Sequence, residues 1–180
     1  AFGAVREPAG SALPGIAPSN AYPCRDGWVL VAGNGDSIFK RLMATIDRQD
    51  LADDAQLADN AGRVARVAEI DAAIGTWTGQ HSVAQVMERL AAARVPAGKV
   101  YTAKDIAEDP HYQARAMLQQ QQTRDGYSIT VPGVVPKLSA TPGTVRTSAP
   151  HLGDDTDAVL MDAGLTREQI ALLRGKGVIQ

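Results

Sequence analysis

Cysteine is almost missing from this chain: Cys24 is the only one in 180 residues. No internal disulfide can form, and that usage suits a reducing compartment. A dominant charge is missing too, since 18 Lys and Arg side chains stand against 20 Asp and Glu, for a net charge of -2. The arginines are scattered and no long acidic run occurs, so the composition gives no footprint for nucleic acid or for an anionic membrane surface. Long apolar runs are absent: nothing approaches the roughly 20 residues of a membrane-spanning helix. Ala1-Phe2-Gly3-Ala4 carries neither the charged leader nor the apolar core of a signal peptide. The expectation is a soluble, cytoplasmic protein with no nucleic-acid and no membrane partner. Metal-ligand spacing is missing as well. His81, His111 and His151 lie far apart, and neither Cys-x-x-Cys nor His-Glu-x-x-His occurs, so no metal site is predicted.

What is present is ordinary globular material, 44% hydrophobic and 21% charged, with enough apolar side chains for a core. Glu7-Pro8-Ala9-Gly10-Ser11-Ala12-Leu13-Pro14-Gly15 is a Pro/Gly-rich connector of the kind found between structured units. It predicts that the chain begins inside a longer polypeptide. Asp26-Gly27 marks a turn, and the apolar run Trp28-Val29-Leu30-Val31-Ala32 predicts a well-buried strand. Gly33-Asn34-Gly35 ends it, and Asp36 is the expected cap of a helix with Ile38, Phe39, Leu42, Met43 and Ile46 on one face.

Asn60 is the expected cap of the longest helix, whose stripe is Val64, Val67, Ile70, Ile74 and Trp77, with Arg63, Arg66 and Glu69 off the stripe. Ser82 and Gln85 form a capping box for the next helix. Val95-Pro96-Ala97-Gly98 closes it, and Lys99-Val100-Tyr101 reads as a short strand. Asp109-Pro110 opens another helix with a cap and a first-turn proline. Tyr127 to Val131 alternates as a strand after Asp125-Gly126, which predicts a hairpin. Prolines 132, 136, 142 and 150 keep the following stretch extended. Two short helices are expected around 154–163 and 167–174, with a Thr166–Gln169 capping box and Gly164 and Gly175 as stops. The fold class is α/β: a linker over 1–19, a compact small α/β domain with a short sheet and several helices over 20–118, and a strand-and-helix arm over 119–180. The arm has few periodic apolar segments, so it is expected to pack on something other than itself.

No catalytic centre emerges from the residues. Cys24, in Tyr22-Pro23-Cys24-Arg25-Asp26-Gly27, lacks the local signatures of cysteine enzymes and reads as structural. His111 sits at a helix start, His151 in a proline-bounded loop where a structural hydrogen bond to backbone is expected, and His81 beside a cap, facing solvent. Gly33-Asn34-Gly35-Asp36 resembles part of a phosphate-binding turn, but Ile38 stands where the third glycine belongs and Asp36 would repel phosphate. Arg63 and Arg66 are expected in surface or interdomain salt bridges. No pair of carboxylates has acid–base spacing. Gly10, Ser11, Ala12, Leu13 and Pro14 are small and flexible, and they are the candidate substrate loop.

Several segments, in order, resemble the family III CoA-transferases (CaiB/BaiF type, with formyl-CoA and carnitine CoA-transferases). They are Ile16-Ala17-Pro18, Asp26-Gly27-Trp28-Val29, Gly33-Asn34-Gly35-Asp36 with Phe39 and Leu42, and Asn60-Ala61-x-Arg63. The series continues with Val95-Pro96-Ala97-Gly98-Lys99-Val100, Asp109-Pro110-His111 with Arg115, Pro132-Gly133, Lys137-Leu138-Ser139, Thr141-Pro142-Gly143 and the tail Ala149 to Thr156. The resemblance implies the small domain and C-terminal segment of an interlocked homodimer. The arm would return to a Rossmann-like large domain, in the missing N-terminal half of the same enzyme. It implies CoA transfer from an acyl-CoA to a carboxylic acid through an aspartyl anhydride and an aspartyl-CoA thioester, with coenzyme A thioester as substrate and no covalently bound cofactor. The catalytic aspartate and most CoA contacts belong to the N-terminal half, so no catalytic residue is carried over. Formyl-CoA transferases have a glycine-rich gating loop where this chain has Gly10-Ser11-Ala12-Leu13-Pro14. That departure shifts the expected acceptor to another carboxylic acid, such as a dicarboxylate. A 2-methylacyl-CoA racemase and a non-enzymatic interaction module on the same scaffold are the alternatives.

Overall fold

The computed structural model describes Gly3 and residues 7–180, which divide into two units between Tyr101 and Thr102. The first unit is built on a three-stranded antiparallel sheet of order β1-β2-β3, with β1 at Ser19–Cys24, β2 at Gly27–Ala32 and β3 at Ala97–Lys99. The strand at Trp28 is not buried on both sides as expected. Val29 and Val31 are fully inside, whereas Trp28 and Leu30 keep 52% and 50% of their surface exposed. Successive strand side chains face opposite ways, and helices cover one face of this sheet.

The linker expected through residue 19 gives way to a strand that sequence reading missed. β1 pairs with β2 from Ser19↔Ala32 to Cys24↔Gly27, although Asn20 and Pro23 interrupt any apolar alternation. β3 begins two residues before the predicted strand, at Ala97 opposite Val31. Val100 still donates its N–H to the Trp28 carbonyl, so the extended chain runs past the ladder.

Helices α1 (Asp36–Thr45), α2 (Gln49–Ala52), α3 (Asn60–Ala65), α4 (Val67–Gly79) and α5 (Val83–Ala92) complete this unit. Phe39, Leu42, Met43, Ile70, Ile74, Trp77, Val86 and Leu90 meet Tyr22, Val29 and Val31 in one core. The predicted long helix is two helices, broken at Arg66 with φ -117° and ψ 26°. Its cap is Asp59, whose side chain accepts the Gly62 N–H, and not Asn60. Likewise Gly35, without a side-chain bond, is the cap of α1, and Asp36 is already helical. The Ser82–Gln85 capping box is formed in full at α5.

The second unit holds α6 (Ala103–Glu108), α7 (Pro110–Ala114), the hairpin β4 (Leu118–Gln122) and β5 (Ser128–Pro132), α8 (Thr156–Asp162) and α9 (Arg167–Gly175). Asp109 caps α7 ahead of Pro110, and Thr166 with Gln169 caps α9. The Gln119–Gln122 run is itself a strand, and Tyr127 belongs to the connecting loop. Gly177, with φ +68°, takes the left-handed position after α9 that was expected of Gly175. Ile170 is the only buried hydrophobic side chain of this unit. The chain is thus a mixed α/β protein with short sheets. No helix of the described residues is long and apolar enough to cross a membrane.

Candidate functional site

Arg63 is the centre of the most densely bonded site. Expected in a surface or interdomain salt bridge, it is 0% exposed. Its Nε donates to the Ala17 carbonyl at 3.1 Å, and Nη1 donates to the carbonyls of Leu57 and Ala58 at 3.0 and 3.2 Å. Nη2 donates to the Asn34 carbonyl at 2.8 Å and to Asp36 Oδ1 at 2.7 Å. The Phe39 ring lies against the guanidinium. The fork of five N–H donors is saturated, so Arg63 cannot also grip an anion. It ties the Gly33–Asp36 turn to the end of the 10–14 loop, which gives that turn a structural purpose. Arg66, by contrast, stays at the surface with Asp54 at 2.5 Å and Glu69 at 2.9 Å.

Asn60 anchors the same loop. Its Nδ2 donates to the Gly15 carbonyl at 2.9 Å and its Oδ1 accepts the Ala17 N–H at 3.1 Å. The substrate-loop candidates Gly10, Ser11, Ala12, Leu13 and Pro14 run ahead of this anchor. Leu13 donates its N–H to the Ser19 carbonyl at 3.1 Å, and Ser11 Oγ donates to Asn20 Oδ1 at 2.7 Å. Ala12, Leu13 and Pro14 cover a cavity of about 200 Å³ whose other walls include Ile16, Val64 and Val67, with Asp71 its only charged group among the described residues.

Asp71 projects from α4 toward β1. Its Oδ2 accepts the Asn20 amide at 3.0 Å and its Oδ1 accepts the Tyr22 hydroxyl at 2.6 Å. Burial, and then the Asp71 carboxylate, push the Tyr22 phenol well above its ordinary pKa. With both oxygens engaged, Asp71 is held as an acceptor and is not poised as a nucleophile. Nothing in the sequence spacing flagged it: the signal would have been a carboxylate in a helix face that otherwise meets a sheet.

The other candidates do not gather here. Cys24 is half-buried, and burial followed by the nearby Asp26 raises its thiol pKa, which disfavours the thiolate. His81 is not solvent-facing as expected. It is half-buried, its ring packs at a tilt against Trp77 with centroids 4.7 Å apart, and its Nδ1 lies 2.7 Å from the Trp77 carbonyl. His111 is a first-turn residue whose N–H bonds Asp109. His151 lies in the second unit. Its N–H bonds Asp154 at 2.9 Å, while its ring meets a carboxylate, Asp125, at 3.3 Å in place of the backbone partner expected. Among the described residues, no group of three His, Cys, Asp or Glu side chains is arranged to hold a metal ion. Within the second unit, Pro150, Leu152, Val159, Leu160 and Ile179 line an apolar groove of about 690 Å³.

This arrangement can position a loop and enclose small apolar volume, but it offers no activated nucleophile. Comparisons with known proteins show the family. A family model described as CoA-transferase family III matches residues 1–156. The succinyl-CoA–D-citramalate CoA-transferase of Chloroflexus aurantiacus is 39% identical over 179 residues, which is 98% of this chain and 44% of that protein. The beta subunit of succinyl-CoA–L-malate CoA-transferase from the same organism is 35% identical, over 97% of this chain and 44% of its own length. The crystal structure of a CaiB/BaiF family protein from Brucella suis aligns with a TM-score of 0.67 at 27% identity, covering 89% of this chain and 41% of that one. A Mycobacterium tuberculosis protein at 20% identity, with a TM-score of 0.63, shares the fold. The chain spans about 44% of the length of the first two relatives.

Proposed function

This chain belongs to CoA-transferase family III, and from that premise we propose that it is part of an enzyme moving CoA from an acyl-CoA to a small dicarboxylic acid. The observation that carries the reading is the 39% identity, across 98% of the chain, with a protein named for succinyl-CoA and D-citramalate. Malate, named in a second relative, carries the same two carboxylates and a hydroxyl. The nucleophile is an aspartate in that portion of the relatives' length which this chain does not represent. Asp71, with both oxygens taken by Asn20 and Tyr22, does not supply it.

In this reading the aspartate attacks the thioester carbonyl and expels CoA thiolate, leaving an acyl anhydride. The thiolate then attacks the aspartyl carbonyl, forming an enzyme thioester and releasing the donor acid. The acceptor carboxylate repeats the exchange in reverse, ending as the new acyl-CoA with the aspartate free. Each step replaces one difficult acyl exchange by an easier one. Water would hydrolyse the anhydride, so the contribution of this chain is to cover the acceptor, with residues 10–14 as the covering loop. The arm over 119–180 packs on the large domain of an interlocked homodimer.

The test is turnover of succinyl-CoA with citramalate or malate, by the 180-residue chain alone and by a protein in which it is joined to the remainder of the family length. Transfer by the joined protein only is expected. Transfer by the chain alone would place the nucleophile inside it and overturn the division of labour. Transfer by the joined protein to monocarboxylates only would remove the dicarboxylate assignment.

A further inference from the structure

The loop over 10–14 is held unequally at its two ends. Its C-terminal end is fixed through buried or backbone contacts, with Asn60 on Gly15 and Ala17 and with Arg63 on Ala17. The rest is tied to β1 by two bonds, the Leu13 N–H to the Ser19 carbonyl and the Ser11 hydroxyl to Asn20. Gly10 and Gly15, which bracket the segment, have φ of +62° and +82°, and a Cβ at either would meet no atom within 4 Å. Space is free at both positions, so glycine is required there for backbone conformation alone, as expected of pivots.

The Ser11 bond depends on which way the Asn20 amide points. Asn20 Oδ1 accepts from Ser11 and from the Ala21 N–H at 2.8 Å, while its Nδ2 donates to Asp71. Turned over, the amide would set an N–H against the Ala21 N–H and its oxygen against the Asp71 carboxylate, and Ser11 would lose the acceptor its hydroxyl now meets. Asp71 is itself locked by Tyr22. The direction of every bond in the series Ser11, Asn20, Asp71, Tyr22 is therefore set from the buried end.

We propose that Asp71 is a positioning residue for the 10–14 loop: by fixing the Asn20 amide it keeps Asn20 Oδ1 turned to the Ser11 hydroxyl and latches the loop over its cavity. Release of the Ser11 bond leaves the Leu13 N–H to the Ser19 carbonyl as the one remaining tie to β1, and loss of both lets the loop swing about Gly10 and Gly15 while Asn60 and Arg63 hold the far end. The importance of the latch for turnover rests on the proposal that this loop covers the acceptor. The latch itself does not depend on it.

Amide hydrogen exchange on the 180-residue chain tests the latch. Ser11→Ala is expected to speed exchange at Ala12, Leu13 and Ile16 about fivefold, the factor that one net hydrogen bond supplies. Asp71→Leu, which removes both oxygens that fix the Asn20 amide and Tyr22, should do the same, and Ser11→Thr should restore the slow rate by keeping the hydroxyl. Exchange in α5 should not change. Unchanged loop exchange in Ser11→Ala, or an equal rise in α5, overturns the latch. Ser11 is at the surface, so this arm stands even if Asp71→Leu unfolds the chain. In the joined protein, Ser11→Ala is expected to change kcat/KM for the acid acceptor, with recovery in Ser11→Thr. A loop that loosens in exchange with no change in acceptor kinetics overturns the covering role and leaves the latch standing.

Discussion

At the level of single residues, Arg63 shows how a charge can be buried without an equally buried charge beside it. It meets four backbone carbonyls and one carboxylate, and that carboxylate, Asp36, has two-thirds of its side chain in water. The carbonyls therefore carry most of the compensation. Lysine has three donors on a point charge and cannot reproduce the planar fork. Arg63→Lys and Arg63→Ala are each expected to destabilise the chain by about 3 kcal/mol, because several buried acceptors lose their partners. Asp36→Ala should cost no more than about 1 kcal/mol, as an exposed partner does. Urea unfolding of the three variants checks the ranking, and an Asp36→Ala loss equal to that of Arg63→Lys would contradict it. Tyr22 gives a second reading at this scale. Its raised pKa means that the fold prefers the protonated phenol. The resulting stability is present below the ordinary value of 10.0 and is lost as pH rises above it toward the raised one. Subtracting the base titration of Tyr22→Phe from that of the parent, followed by phenolate absorbance, should leave no increment until pH exceeds 10.0. An increment at lower pH would show that Tyr22 is not held buried against Asp71.

At the level of elements, the second unit depends on a polar join between its hairpin loop and the turn before α8. Arg124 pairs with Asp154, and the His151 N–H bonds the same carboxylate at 2.9 Å. The His151 N–H, and after it Arg124, hold the Asp154 carboxyl below its ordinary 3.8. A lowered carboxylate pKa stabilises above the unfolded value and is lost as pH falls through the folded one. The His151 and Gly126 amide resonances should therefore move together with a midpoint below 3.8, and Asp154→Asn should abolish the shared transition. A midpoint at or above 3.8 would sink the assignment. Elements with local signals were legible in the sequence. The Ser82–Gln85 and Thr166–Gln169 boxes and the Asp109-Pro110 start appear where their spacing put them. Elements defined by partners were not legible. β1 is a strand because β2 lies beside it, not because Asn20-Ala21-Tyr22-Pro23 alternates. Asp59 outranks Asn60 as the cap because Asn60 is committed to Gly15 and Ala17. The loop over 10–14 was visible as small and flexible residues, while its latch needed Asp71, some 60 positions away in sequence.

For the whole molecule, burial is distributed very unevenly, and that distribution bears on what the chain works with. The first unit holds a continuous core from Tyr22 to Val95. The second buries one hydrophobic side chain, Ile170, and leaves Leu152, Val159, Leu172 and Val178 mostly in water. A segment with so little apolar burial opens locally at small cost, and several exposed large apolar side chains in one unit are what a docking face leaves uncovered. The relatives are more than twice as long as this chain, since it spans 44% of them, and the proposed occupant of that face is the remainder of that length. In the 180-residue chain, amides of α8 and α9 are expected to exchange at least a hundredfold faster than those of β2, α4 and α5, a gap of roughly 3 kcal/mol in opening free energy. In the joined protein the α8 and α9 amides should slow toward the values of the first unit, while β2 and α5 change little. Equal protection of α8 and α9 in the two proteins would mean that the arm finds its stability within this chain, and the docking role would have to be given up.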